Sequence, residues 1–471
     1  MKIDNKLKIK ISKSVVRIVS DIIDINWNIP YLIEKPIRSQ GTGFFINESY
    51  IITCAHVVNS ASNLYIEIPD TSSDKYMCTV ISIVPEFDIA IIKCNTYKSK
   101  YYLDLGNSDN LKINDNVIVI GYPVSFKTNK NNSNNLKFTA GIISGQQNGY
   151  IQTDSAINPG NSGGPLLSNN KVIGINSMKL VGKSLENIGA AIPINYYKVI
   201  SNDINNKIIY RPNLLFTYNN TNKDIVKKIT NNKLDYGIIV AKIYDNSPFK
   251  NTDIKKDTLI TEINNIKLDN YGLSNQYKWI GSGINIKTII NKFKNNDIII
   301  IKYFNDNKSK EIKLKLEPYI EPIRMMFPIF EKIEYFILGG MIFMNLSMNH
   351  IINNKTDQEL LCFSLNEESL LKSKLIISFI APNSKISILN NIKEYDFIGK
   401  VNDIEVNNIK ELKNAINKFI IINNEKFIKI EEEKGKTLLI SLKDALNDDI
   451  SLSELYKYSL SDFHKKYIKN L

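Results

Sequence analysis

Over the first part of the chain, apolar positions come in short runs bounded by turn residues, with no long helical stripe. Ser14 to Ser20 alternates like a half-buried strand, and Gln40 to Ile46 and Ile51 to Ala55 predict a hairpin across Asn47-Glu48-Ser49-Tyr50. Leu64 to Ile68, Cys78 to Val84 and Ile89 to Cys94 complete a six-stranded barrel. A second set follows: Asn116 to Pro123, Phe138 to Ser144, Tyr150 to Thr153, Pro165 to Leu167, Lys171 to Asn176 and Gly189 to Pro193. Lys127 to Asn135 is a polar, Asn-rich loop. Short strands at this spacing predict an all-β architecture here.

Beyond about Asn206 the pattern changes and repeats. Ile254 to Leu268, with Asp257 and Ile263-Asn264-Asn265, recurs in outline as Ile392 to Val406, with Asp396 and Val401-Asn402-Asp403. Each copy follows an apolar strand and an Asn-Ser turn, Gly237 to Tyr244 in the first and Leu375 to Ile380 in the second. Leu452 to Leu471 has helical spacing, with Leu452, Tyr456, Leu460, Phe463 and Tyr467 on one face. A chain of 471 residues is too long for one core and predicts about three domains.

Composition changes this picture little. A net charge of +12 raises the question of a nucleic-acid or membrane partner. The lysines are scattered beside Asn or Asp, so they read as solvated faces, and neither partner is expected. Cys54, Cys78, Cys94 and Cys362 show no Cys-x-x-Cys spacing and no histidine at metal-ligand distance, so no metal or cofactor is expected. Reduced, mostly buried thiols and an N-terminus without an apolar leader predict an intracellular protein, cytoplasmic or nuclear. His350 and His464 lack motif context and are expected on the surface. Trp27 and Tyr31 supply either an intersubunit contact or packing on their own domain.

The densest chemistry lies in Asp154-Ser155-Ala156-Ile157-Asn158-Pro159-Gly160-Asn161-Ser162-Gly163-Gly164-Pro165. A serine hydroxyl among glycines becomes a nucleophile when a base takes its proton and backbone N–H groups hold the oxyanion. Read blandly, the same stretch is a turn between strands. A base is present upstream: His56, one of only three histidines, ends the apolar run Ile51 to Ala55. An acid is present too, since Asp88 is a lone carboxylate before the apolar Ile89 to Ile92, and a buried aspartate there needs a partner such as the Nδ1–H of His56. The order His, Asp, Ser is one of the known triad orders.

Five motifs taken together resemble the HtrA/Deg family of trypsin-like serine proteases: Gly41-Thr42-Gly43-Phe44, Thr53 to Val58, Phe87-Asp88-Ile89-Ala90, Gly160 to Pro165, and Asn187 to Pro193. The resemblance implies a mainly β fold, a chymotrypsin-like double β-barrel followed by two PDZ-like α+β domains. It divides the chain into a protease domain at 1–206, a first PDZ domain at 207–318, a degenerate second one at 319–450 and a helical tail at 451–471. His56, Asp88 and Ser162 are the implied triad, and Gly160, Asn161 and Ser162 the oxyanion loop. Ile157 and Ile188 are either the aliphatic floor of the primary specificity pocket or plain core. The implied activity is ATP-independent endoproteolysis of unfolded or damaged proteins, the alternative being a resting chaperone or scaffold that uses its PDZ domains. Implied partners are polypeptide substrates, a peptide ligand of the first PDZ domain, and other copies of the chain in a trimer or larger cage. The expected carboxylate loop of that domain, Asn213 to Thr217, has no glycine, and Tyr335 to Phe343 resembles the plant-type intracellular Deg branch.

Overall fold

The computed structural model describes residues 4–32, 34–68, 74–123, 135–177 and 189–469. Ile188 and all but the last residue of the Lys127 to Asn135 loop fall outside them. The chain divides into two compact units, one of residues 1–22 and 37–320, the other of residues 23–36 and 321–471.

The first unit contains both expected barrels. Strands β1 (Val15–Ile22), β2 (Ile37–Phe45), β3 (Tyr50–Cys54), β4 (Ala61–Glu67), β5 (Lys75–Val84) and β6 (Ile89–Cys94) close in the order β1-β2-β3-β6-β5-β4. Strands β7 (Asn116–Gly121), β8 (Lys137–Gln147), β9 (Tyr150–Thr153), β10 (Pro165–Ser168), β11 (Lys171–Asn176) and β12 (Gly189–Pro193) close in the order β10-β11-β12-β9-β8-β7. Closure removes the free edges that so many short strands would otherwise expose. The apolar runs fill the barrels: Phe44, Ile52 and Ile91 are buried in the first, Ile151, Leu166 and Ile175 in the second.

A further sheet in the same unit runs Phe216–Asn219, Ile238–Ile243, Leu259–Ile263, Ile298–Asn305 and Lys308–Lys315. Its repeat motif folds as a tight hairpin, in which Asn264 and Asn265 both take left-handed φ (49° and 65°) between Leu259–Ile263 and Ile266–Lys267. The second unit repeats this device with Asn402 and Asp403 (φ 50° and 63°) between Phe397–Val401 and Ile404–Glu405. Two successive residues at positive φ match the twist of a hairpin, and Asn and Asp tolerate that region best among residues with a side chain.

Three expectations are corrected in the second unit. Trp27 belongs to this unit rather than to the one that holds the barrels: it packs in this core with Ile323 and Ile342, edge-on to His350 at 5.2 Å. The tail is not one helix, because Leu442–Tyr456 stops at a left-handed Lys457 (φ 58°) and Asp462–Ile468 starts anew. Nor do His350 and His464 lie on the surface; both are buried. Each stands three residues after a serine that begins its helix: Ser347 Oγ lies 2.8 Å from His350 Nδ1, and Ser461 Oγ 2.7 Å from His464 Nδ1. His464 Nε2 reaches Asp449 Oδ2 at 2.9 Å, and the Asp449 carboxylate also accepts the N–H groups of Gly339 and Gly340 at 2.7 and 2.9 Å. A buried carboxylate is thus fully partnered.

Burial pushes the His350 imidazole down to about 3 from its ordinary 6.5. The folded state then keeps His350 neutral while the unfolded chain takes up a proton below about pH 6.5, so its share of stability is complete above that pH and is lost as pH falls toward 3. At pH 5 the loss is about 2 kcal/mol. Scanning calorimetry at pH 7 and pH 5 is expected to show a lower melting temperature at pH 5, with a smaller drop in His350→Gln. Equal drops in the two proteins would remove His350 as the cause.

Candidate active site

Strand pairing brings the base and acid together. The β3–β6 register sets Cys54 opposite Ile89, which delivers the residues on either side, Ala55-His56 and Asp88, to one point. The Ala55 N–H donates to the Asp88 carbonyl at 2.9 Å. His56 does not sit on the strand end as expected but in a single helical turn, Ala55–Val58, directly after it. Asp88 closes the Pro85–Asp88 turn with φ 55°, a left-handed position that aspartate accepts more readily than bulkier residues.

The Asp88 carboxylate is 5% exposed and accepts three hydrogen bonds. The His56 backbone N–H donates to Oδ1 at 3.0 Å, His56 Nδ1 lies 2.7 Å from Oδ2, and the Ser177 hydroxyl donates to Oδ2 at 3.2 Å. These donors fix the orientation of the carboxylate and, through it, of the imidazole. Ser177 follows β11 and is fully buried. Nothing in Ile175-Asn176-Ser177 marks it in the sequence, because its role depends on β11 running past the first barrel.

Ser162 lies in the loop between β9 and β10, and this loop is pinned to the first barrel by Thr42. The Thr42 N–H donates to the Ser162 carbonyl at 2.9 Å, and the Thr42 hydroxyl donates to the Gly160 carbonyl at 2.6 Å. That hydroxyl also accepts the Tyr122 N–H at 2.9 Å, and the Thr42 carbonyl accepts the Thr53 hydroxyl at 2.8 Å. Gly163 (φ 85°) passes so close that a Cβ there would stand 2.1 Å from the Thr42 carbonyl oxygen and 2.2 Å from Thr53 Oγ1. Only glycine fits such an approach. Asn158-Pro159-Gly160-Asn161 forms a turn with Gly160 at φ 95°, closed by the Asn161 N–H on the Asn158 carbonyl at 2.9 Å. The Asn161 N–H is therefore engaged within the turn rather than aimed at a substrate.

Ile157 is 9% exposed within the second barrel's core cluster, beside Ile151, Leu166 and Ala191. Its Cδ1 lies against Gly189, the first residue of β12. Among the described residues one group brings metal-type donors together, with ligand atoms of Cys54, His56 and Asp88 within 4.8 Å of one another. The expectation that no cysteine has a histidine at ligand distance is thereby corrected. The donor set itself favours hydrogen bonding: His56 Nδ1 already faces Asp88, and Cys54 Sγ donates to the Asn176 carbonyl at 3.3 Å.

Residues 41–175 match the family model described as a trypsin-like peptidase domain. "Probable periplasmic serine endoprotease DegP-like" of Chlamydia pneumoniae is 32% identical over 52% of this chain and 51% of its own length. "Putative protease Do-like 13" of Arabidopsis thaliana is 24% identical over 97% of this chain and 89% of its own. Among solved structures, "HtrA-type protease AlgW with decapeptide" superposes with a TM-score of 0.49 at 20% identity, covering 67% of this chain and 98% of that one. The chain spans about half the length of the chlamydial relatives it matches.

The intracellular expectation is overturned by these relatives: the chlamydial proteins and that of Pseudomonas putida are named periplasmic. Its main premise, the reduced thiols, reports packing rather than compartment, since Cys54, Cys78 and Cys94 are buried side chains of the first barrel. No helix among the described residues is long and apolar enough to cross a membrane. A double barrel that pairs His56 with Asp88, a trypsin-like peptidase-domain match over residues 41–175, and similarity to a Do-like protein along nearly all its length make the chain similar to the HtrA/Deg proteases.

Proposed function

We propose that the chain is a serine endopeptidase in which His56, Asp88 and Ser162 act as the triad. The observation that carries this reading is the 2.7 Å contact of His56 Nδ1 with a carboxylate whose other donors, the His56 N–H and Ser177, hold it in place. With Nδ1–H directed at Asp88, Nε2 is the acceptor. It takes the Ser162 proton as Oγ attacks the scissile carbonyl, then returns a proton to the leaving amine. Asp88 stabilises the imidazolium that forms between these steps. The Gly160 and Ser162 N–H groups cradle the oxyanion, Asn161 contributing its place in the turn rather than its N–H.

Peptide hydrolysis of this kind consumes only water, so no nucleotide is required. The substrates are unfolded or damaged polypeptides, whose extended backbone can reach a nucleophile on a loop between barrels. Ile157 gives the primary pocket an uncharged floor suited to small aliphatic side chains, because an unpaired charge buried there is costly. The sheet over 207–318 and that over 319–450 are read as PDZ-like modules; the repeated Asx hairpin supports their kinship. In the first module Leu215 supplies a left-handed turn (φ 49°) without glycine at the expected peptide-carboxylate loop. Trimers or larger cages belong to this reading through the resemblance to the HtrA/Deg family.

A fluorophosphonate probe tests it directly. The expected result is one covalent adduct per chain, mapped by mass spectrometry to Ser162. Folded protein that acquires no adduct at Ser162 would overturn the assignment.

A further inference from the structure

Cys78 and Cys94 face each other across the hairpin that carries Asp88. Strand β5 leads into the Pro85–Asp88 turn, β6 returns, and the two cysteines are cross-strand partners at the opposite, open end. The Asn95 N–H donates to the Met77 carbonyl at 2.9 Å, whereas the Cys94 N–H points away from β5, to the Ser49 carbonyl at 2.9 Å. The cysteines therefore form a non-hydrogen-bonded pair, the closer kind, with Cα atoms about 4.5 Å apart and side chains on one face. That separation falls within the roughly 4.4–6.8 Å a disulfide spans. Both are free thiols and both are buried.

The Cys78 thiol donates to the Tyr76 carbonyl at 3.5 Å. The neighbouring Cys78 thiol and the backbone N–H groups of Tyr97 and Thr96 bring the Cys94 pKa down, while the Cys94 side chain and burial push Cys78 up. Cys94 is thus the member that reacts first, since the thiolate is the nucleophile.

We propose that Cys78 and Cys94 are a redox-active pair whose disulfide closes the open end of the Asp88 hairpin, with a small-molecule disulfide such as oxidised glutathione as oxidant. The Cys94 thiolate attacks one sulfur of the oxidant, whose S–S bond breaks and releases one thiolate, leaving a mixed disulfide on Cys94. Cys78 loses its proton and attacks the Cys94 sulfur, expelling the second thiolate. Two protein thiols are oxidised, one oxidant disulfide is reduced to two thiols, and the protein's two protons end on the products. No part of this exchange involves Ser162, so it stands apart from the peptidase reading.

The full chain is incubated with oxidised glutathione, quenched in acid, denatured, alkylated and mapped by mass spectrometry. The expected product is a Cys78–Cys94 cross-linked peptide with neither residue alkylated, reversed by dithiothreitol. Because the bond closes a loop of 15 intervening residues, the melting temperature rises by roughly 5 °C or more, and does not rise in Cys94→Ser. Alkylation of both residues after oxidation, their pairing with another cysteine, or capping by glutathione alone would overturn the proposal. Should Cys94→Ser fail to fold, the wild-type map decides by itself.

Discussion

Ser162→Ala is expected to lower kcat for unfolded casein by about a millionfold. The change removes the attacking oxygen and keeps the backbone groups that hold the loop. The loop is held by backbone groups: the Ser162 carbonyl accepts the Thr42 N–H, the Gly160 carbonyl accepts the Thr42 hydroxyl, and the Gly163 N–H donates to the Asn176 carbonyl at 2.8 Å. Alanine keeps all three, so stability should change by no more than about 0.5 kcal/mol. Residual turnover about a thousandfold above water is expected from the cradle and binding alone. Fluorogenic casein hydrolysis beside a calorimetric melt checks both halves. A variant as active as wild type would end Ser162's candidacy as nucleophile, and a variant that melts early would show that the side chain supports the loop.

The strands of the barrels were legible because their periodicity is local. Lys171–Asn176, Gly189–Pro193, Tyr150–Thr153 and Ile89–Cys94 have the bounds that alternation and turn residues predict. The candidate site was legible for a different reason: histidine at 56, aspartate at 88 and the glycine-flanked serine at 162 stand in one of the known triad orders. What stayed hidden depends on tertiary approach. Ser177 and the four bonds of Thr42 acquire their roles only when one barrel's strands run past the other's loop, which no window of sequence contains.

The buried histidines teach the same lesson with a signal that was available. Ser347-Met348-Asn349-His350 and Ser461-Asp462-Phe463-His464 share the spacing by which an N-terminal serine and the residue three positions on satisfy each other at a helix start. Histidine in place of the usual Glu or Gln concealed it. The segment 23–36 was misplaced because chain order suggested that it travels with the barrels, whereas Trp27 is large and apolar enough to belong to whichever core can bury it.

Asp88→Asn is expected to lower kcat by about ten-thousandfold while leaving the protein folded. The carboxylate serves three donors with two acceptor oxygens, whereas an amide has one oxygen and one NH2 group. If the amide oxygen faces the His56 backbone N–H, the NH2 group faces Nδ1, which must then become an acceptor. The imidazole proton moves to Nε2, and His56 can no longer take a proton from Ser162. If the amide turns over, Nδ1–H keeps its acceptor but the NH2 group confronts the buried His56 N–H, a mismatch costing about 1–3 kcal/mol. The first orientation is therefore the stable one, and it is the inactive one. Kinetics on fluorogenic casein should show the loss in kcat with KM little changed, and a melting curve should stay near that of wild type. A fall of less than tenfold would mean that the carboxylate does not set the tautomer of His56, and the pairing at 2.7 Å would then be structural rather than catalytic.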